Sequence, residues 1–140
     1  MKEVHILLVE DNEGDIILTR EALKDANIRN AVTVATDGEQ ALLMLHTAEE
    51  LPDLILLDIN LPRVSGLEVL ASIKKEETLK DIPVIMLTTS AAEKDILTSY
   101  AHHANRFITK PVDLPRFIEV IKTIEDFLVS IIKEPKQKRA

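Results

Sequence analysis

Carboxylates stand at the ends of two apolar runs, and this pattern could support chemistry. The run Val4–Val9 leads into Glu10 and Asp11, and the run Leu54–Leu57 leads into Asp58. Two carboxylates about 4 Å apart repel each other by roughly 4 kcal/mol at an effective dielectric constant near 20. A hard divalent cation removes this conflict, and Mg²⁺ prefers carboxylate oxygens, water and phosphate oxygens. If the three acids meet, they predict a magnesium site that serves phosphoryl chemistry.

Two further apolar runs end in groups that suit a phosphoryl oxygen. Val84–Leu87 is followed by the hydroxyl of Thr88, and the run around Phe107–Ile108 is followed by the ammonium of Lys110. A lysine ammonium is a compact charge that binds phosphoryl groups well. Each residue alone is more often a turn, cap or surface residue, so the prediction depends on their joint occurrence. Pro111 also makes the Lys110–Pro111 bond a candidate cis peptide.

Five apolar runs alternate with helical patterns along the chain. The third run reads "LILL" and the fourth "VIML", and such continuous hydrophobicity is expected for parallel strands that are covered on both faces. Helix-start signals of the capping type separate the runs, most of them an acceptor with a partner three residues later. They are Asn12 with Asp15, Asp37 with Gln40, Ser65 with Glu68, Ser90 with Glu93, and Asp113 ahead of Pro115. The predicted strands are Val4–Val9, Ala31–Ala35, Leu54–Leu57, Val84–Leu87 and Phe107–Ile108 with its neighbours, and the predicted helices are near 13–27, 38–49, 65–75, 91–103 and 113–132.

This alternation predicts an α/β fold, a doubly wound (βα)₅ parallel sheet of the flavodoxin-like kind. In a sheet with strand order 2-1-3-4-5, the first and third strands are neighbours, and the switch in strand order lies between them. Ligands bind beyond the carboxyl ends of strands at that point. Glu10, Asp11 and Asp58 are therefore expected to meet at one edge of the sheet.

The sequence resembles the response-regulator receiver domains of two-component signalling. The matching segments are "ILLVEDNE", "PDLILLDINLPRVSGLEVL", "IPVIMLTTSA" and "RFITKPVD". Within that family it is similar to the single-domain regulators that accompany bacterial phytochromes, through "VEDNEGD", "DGEQAL" and "KPVDLPRFIEVIKTIEDFLVS". The resemblance implies a sensor histidine kinase, of the phytochrome type, as the partner.

The resemblance also implies a role for each acid of the cluster. Asp58 would be the phospho-acceptor that attacks a phosphohistidine of the kinase. Glu10 and Asp11 would hold Mg²⁺ together with Asp58, and Asn60 would add its backbone carbonyl. Glu10 stands where the family more often has aspartate, so its contact with the metal can pass through a water molecule.

The same resemblance implies that Thr88 and Lys110 contact the phosphoryl oxygens. Thr88 and Phe107 would form the switch, with Phe107 swinging inward as Thr88 is drawn toward the phosphate. Phe107 lacks a hydroxyl group, so it can act by packing but not by a tyrosine-type hydrogen bond. Thr89 stands where a smaller residue is common and can restrict access to the acceptor.

Length and composition set the remaining expectations. A chain of 140 residues that is 46% apolar fits one folded domain, so we expect a receiver domain over 1–132 and a short basic, frayed tail over 133–140. There are no cysteines, and the net charge of −7 disfavours non-specific nucleic-acid binding. No apolar run approaches the length of a membrane span, and no signal peptide is evident at the N-terminus. We therefore expect a cytoplasmic protein that binds neither nucleic acid nor membrane.

The predicted fifth helix carries more apolar residues than one buried face needs. Phe127–Ile132 contains a single polar residue, Ser130. Such a helix favours a second partner, and we expect a homodimer through the predicted helices 4 and 5. The alternative is that a neighbouring helix of the same chain covers this surface. We expect no output domain, and therefore output by surface change or by onward phosphotransfer. The four histidines are interpreted as structural.

Two alternative functions remain open from the residues alone. Haloacid-dehalogenase-like phosphatases also use an aspartate nucleophile with Mg²⁺, but they need a second aspartate two residues later, where this chain has Asn60. A receiver-like binding module that never takes phosphate is the other alternative. The preferred hypothesis is that the protein is a phospho-acceptor, which gains and loses a phosphoryl group on Asp58 and is not a turnover enzyme.

Overall fold

The computed structural model describes residues 3–26, 29–89 and 106–121. Within them the strands and helices alternate as the apolar runs predict. The strands are β1 (Val4–Val9), β2 (Asn30–Ala35), β3 (Leu54–Asp58), β4 (Val84–Thr88) and β5 (Arg106–Thr109). The helices are α1 (Glu13–Asp25), α2 (Gly38–Thr47), α3 (Gly66–Lys75) and the last described helix (Leu114–Ile121). The predicted helix 91–103 and the part of helix 113–132 beyond residue 121 lie outside the described residues.

The five strands form one sheet in the order β2-β1-β3-β4-β5, and every pair is parallel. This confirms the doubly wound α/β fold and places β1 beside β3. The register pairs Val9 with Leu57, so Glu10 and Asp58 follow at the same level of the sheet. The sheet therefore brings the two acid-bearing strand ends side by side.

Each face of the sheet has its own hydrophobic core, because side chains alternate between the faces along each strand. One core joins Leu8 and Leu56 to Leu23 of α1 and to Phe117 of the last described helix. The other core joins the opposite faces of the same strands to α2 and α3. Strands covered on both faces explain why the sequence shows continuous apolar runs.

Most of the predicted helix starts are confirmed by hydrogen bonds. The side chains of Asn12, Asp37 and Ser65 accept from the backbone N–H three residues later, and Ser65 forms a complete capping box with Glu68. Asp113 likewise accepts from the N–H of Arg116 at 2.9 Å. Ser90, the remaining predicted cap, lies outside the described residues.

Two helix ends are corrected by the structure. The first helix stops at Asp25 instead of residue 27, because Ala26 is already extended and its N–H donates to the Leu23 carbonyl. The second helix stops at Thr47 instead of residue 49, because Ala48 is extended. Neither correction moves a residue of the strand ends. Within the described residues, no helix is both long and apolar enough to cross a bilayer.

Candidate functional site

Three carboxylates meet where β1 and β3 end. Glu10 and Asp11 follow β1, Asp58 is the last residue of β3, and one oxygen from each lies within 4.8 Å of the others. This confirms the predicted convergence of the acids, while their individual roles stay predictions. Asp11 is exposed, whereas Glu10 is 0% and Asp58 2% exposed. The cluster is thus a nearly buried pair of acids with a third acid at the surface.

Burial makes ionisation of Glu10 costly. Burial raises the pKa of the Glu10 carboxyl group to about 7, and a hydrogen bond with Asp58 and the charge of that residue add to the rise. The hydrogen bonds from Lys110 and from the Asn12 N–H, at 3.2 Å, work in the opposite direction. The cluster therefore holds an acid that ionises near neutral pH unless further positive charge is supplied.

Lys110, the first residue after β5, supplies the positive charge. Its Nζ donates to Glu10 Oε1 at 3.0 Å and to Asp58 Oδ2 at 3.2 Å. Burial by itself would lower the pKa of Lys110, but hydrogen bonds to Asp15 and Glu10 and the charge of Asp58 outweigh it, so the pKa is raised. The ammonium therefore stays charged and faces the acids as expected. The Lys110–Pro111 peptide is cis, which confirms that expectation.

Asp15 is a member of this site that the sequence reasoning missed. Its Oδ2 accepts from Lys110 Nζ at 2.9 Å, across 95 residues of sequence. The sequence identified Asp15 only as the partner of the Asn12 cap, a role that uses its backbone N–H and leaves its carboxylate free. Its position in the first turn of α1, directly after the strand-end acids, is the signal that could have placed the carboxylate here.

The loop after β3 holds Asp58 in place. The N–H of Asn60 donates to Asp58 Oδ1 at 3.1 Å, and the N–H of Gly66 donates to the Ile59 carbonyl at 3.0 Å. A Cβ at position 66 would overlap with the carbonyl oxygen of Asp58 and lie 2.7 Å from the Ile59 Cα. Only glycine allows α3 to begin this close to the end of β3.

Thr88 and Phe107, the predicted switch pair, lie on the neighbouring strands β4 and β5. Thr88 is fully buried at the end of β4, and its carbonyl accepts from the Lys110 N–H at 2.8 Å. Met86 pairs with Phe107 and Thr88 with Thr109, so Thr88 and Phe107 are on the same face of the sheet. Phe107 is half-buried and packs against the core between the sheet and α2 and α3. Their roles in a switch stay predictions.

The residues present fit a hard divalent cation. Carboxylate oxygens are the ligands that Mg²⁺ prefers, and this cluster offers one from each of Glu10, Asp11 and Asp58. A second positive charge would also relieve the repulsion that raises the pKa of Glu10.

Comparison with known proteins identifies the family. Residues 6–122 match the response regulator receiver domain. The chain belongs to this family. It is 41% identical to the response regulator Rcp1 of Synechocystis sp. (strain ATCC 27184 / PCC 6803 / Kazusa) over 135 residues, which are 93% of this chain and 92% of Rcp1.

Solved structures of similar regulators agree with the fold. The bacteriophytochrome response regulator AtBRR superposes with a TM-score of 0.82 at 41% identity, covering 88% of this chain and 93% of AtBRR. The phosphorylated cyanobacterial phytochrome response regulator RcpA gives 0.73 at 44% identity, covering 92% and 96%. The Mn²⁺-bound form of Rcp1 gives 0.70 at 39% identity, covering 90% and 92%. The chain is thus a response regulator receiver of two-component signalling, related to phytochrome response regulators.

Proposed function

We propose that this receiver accepts a phosphoryl group on Asp58 from a partner histidine kinase in a Mg²⁺-dependent reaction. One observation carries the proposal: the carboxylate of Asp58 lies at the meeting point of two other carboxylates and the Lys110 ammonium. A purely structural aspartate at a strand end needs neither a third acid nor a buried cation. The arrangement suits a group that must accept a highly charged phosphoryl group.

The transfer makes one bond and breaks another. An oxygen of the Asp58 carboxylate attacks phosphorus, the phosphorus–nitrogen bond to the kinase histidine breaks, and its electron pair stays on the ring nitrogen. The product is an acyl phosphate on Asp58. Attack of water on phosphorus then releases inorganic phosphate and restores the carboxylate, so the phosphorylated state is transient.

Charge compensation makes a carboxylate competent in this reaction. Lys110 is positioned to interact with phosphoryl oxygens because its Nζ already lies 3.2 Å from Asp58 Oδ2. Glu10, Asp11 and Asp58, with the backbone carbonyl of Asn60, would hold Mg²⁺. When bound, the ion supplies positive charge that offsets the charge of the phosphoryl oxygens. The Mn²⁺-bound form of the relative Rcp1 supports a divalent ion in this role.

Output follows from a change in surface. Thr88 would turn its hydroxyl toward the phosphoryl group, and Phe107, on the same face of the sheet, would move further into the space beside it. Phe107 is half-buried, so such a movement would take more of its ring out of contact with water. The receiver therefore signals through a phosphorylation-dependent surface and is a phospho-acceptor, not a turnover enzyme.

The remaining expectations are proposals of the same kind. The phytochrome response regulators among its relatives support a kinase of the phytochrome type as the partner. We place the receiver domain at 1–132, the basic tail at 133–140 and the protein in the cytoplasm. The homodimer through the predicted helices 4 and 5 depends on surfaces outside the described residues. Light scattering over a concentration series tests it, and a constant monomer mass rejects it.

One assay separates this function from the alternatives. The protein is incubated with a small phosphodonor in Mg²⁺ or in chelator, and its intact mass is measured. We expect one added phosphoryl group in Mg²⁺ only, and none for Asp58→Asn. Asp25→Asn is the matched control, because Asp25 is an exposed carboxylate at the far end of α1.

Other results would point elsewhere. Turnover of added phosphomonoesters would indicate a phosphatase, and absence of both reactions would indicate a binding module. A wild-type protein and an Asp58→Asn variant that gain the same mass would contradict Asp58 as the acceptor.

A further inference from the structure

The Lys110 ammonium has a third carboxylate partner on a different element. Asp15 on α1 accepts from Nζ at 2.9 Å, against 3.0 Å for Glu10 and 3.2 Å for Asp58. An ammonium has three N–H donors. The three carboxylates occupy all of them, so a phosphoryl oxygen can bind Lys110 only by displacing one acceptor.

We propose that Asp15 is a positioning residue that holds Lys110 in the resting state and competes with the incoming phosphoryl group for its ammonium. This inference rests on the proposed function and adds a control on the rate at which Asp58 is phosphorylated. Asp15 thereby slows phosphorylation of Asp58.

Solvent access identifies Asp15 as the acceptor that gives way. The side chain of Asp15 is 28% exposed, whereas those of Glu10 and Asp58 are 0% and 2% exposed. A carboxylate that loses a hydrogen bond must find another partner or bear the cost of burial. Water can replace Lys110 at Asp15 but not at the two buried acids.

The position of Asp15 makes the competition specific. Its own N–H donates to Asn12 Oδ1 at 2.9 Å, which fixes Asp15 in the first turn of α1. Asp15 is not one of the three acids whose oxygens converge within 4.8 Å. A metal ion held by Glu10, Asp11 and Asp58 would therefore not disturb the hydrogen bond between Asp15 and Lys110. The negative charge of Asp15 also repels an anionic phosphodonor.

The test compares Asp15→Asn with Glu13→Gln in saturating Mg²⁺. Glu13 is an exposed acid in the same first turn, so both variants remove one negative charge close to the site. We expect Asp15→Asn to raise the second-order rate constant for phosphorylation by a small anionic donor roughly threefold to tenfold above Glu13→Gln. Asp15→Glu, which keeps the carboxylate, returns the rate toward wild type. A merely structural role would lower the rate and would not raise it.

A second measurement follows the resting contact without any donor. In the metal-free proteins, the ¹⁵N signal of the Lys110 ammonium shifts in Asp15→Asn and not in Glu13→Gln. An unchanged signal, or a rate for Asp15→Asn at or below that of Glu13→Gln, overturns the inference while phosphorylation of Asp58 stands. A wild-type protein that gains no phosphoryl group overturns the proposed function and this inference together.

Discussion

Replacing Glu10 with glutamine should change how the stability of the metal-free protein depends on pH. Glutamine keeps the shape of Glu10 but cannot ionise. In the folded protein, burial and the neighbouring Asp58 raise the pKa of Glu10 from 4.5 to about 7. The folded state therefore holds a proton on Glu10 in a pH range where the unfolded state has already released it.

The sign and size of the effect follow from that difference. Stability rises with pH where the unfolded state binds more protons, and here the folded state binds more, so stability falls between about pH 4.5 and pH 7. Each pKa unit is worth about 1.4 kcal/mol. Wild-type protein should therefore lose about 3 kcal/mol of unfolding free energy relative to Glu10→Gln across this range.

Urea unfolding in chelator at pH 5, 6, 7 and 8 measures the effect for both proteins. Taking the difference between the two proteins at each pH removes the titration of groups that do not interact with Glu10, so the difference reports Glu10 together with its neighbours Asp58 and Lys110. Addition of Mg²⁺ at pH 8 should then stabilise wild type more than Glu10→Gln, because a ligand that binds only the folded state stabilises it. A wild-type-minus-variant difference that is constant from pH 5 to pH 8 would refute the burial argument.

Three other substitutions test the supports of the site. Gly66→Ala should lower the unfolding free energy by at least about 2 kcal/mol and slow phosphorylation, because the new Cβ meets the Asp58 carbonyl. Chemical denaturation and the mass assay measure the two effects, and a near-neutral result would contradict the close approach. Ser65→Ala should cost about 1 kcal/mol in urea unfolding through loss of the α3 capping box, and a cost near zero would count against that cap. Arg63→Gly should be about 1 kcal/mol more stable than Arg63→Ala. Both variants lose the ion pair to Asp37, but only glycine adopts the positive φ of 64° without strain. Equal stabilities would show that this backbone carries no strain.

The strand ends could be predicted from sequence because two simple signals coincide there. A continuous apolar run marks a covered strand, and a polar residue directly after it marks the edge where ligands bind. Asp58 and Thr88 each follow such a run directly, Lys110 follows Phe107–Ile108 with one residue between, and the parallel sheet brings these strand ends together. Local caps such as Ser65 were also predictable, because they depend on neighbours three residues away.

Other features depend on distances that a sequence does not express. The contact of Lys110 with Asp15 joins residues far apart in sequence, and it exists because the long side chain that follows β5 reaches the first turn of α1. Helices α1 and α2 each end two residues before the predicted position. The prediction missed these ends because no glycine or proline at position 26 or 48 marks the end of the helix in the sequence. The positive φ of Arg63 has no sequence signal either, because arginine does not favour that conformation.

The central claim is that Asp58 carries the phosphoryl group, and mapping the modified residue tests it most directly. The protein is phosphorylated in Mg²⁺, the acyl phosphate is reduced with borohydride, and the peptides are sequenced by mass spectrometry. We predict that Asp58 alone is converted to homoserine. Conversion at Glu10 or Asp11, or a phosphoryl group on serine, threonine or histidine with Asp58 unmodified, would contradict it.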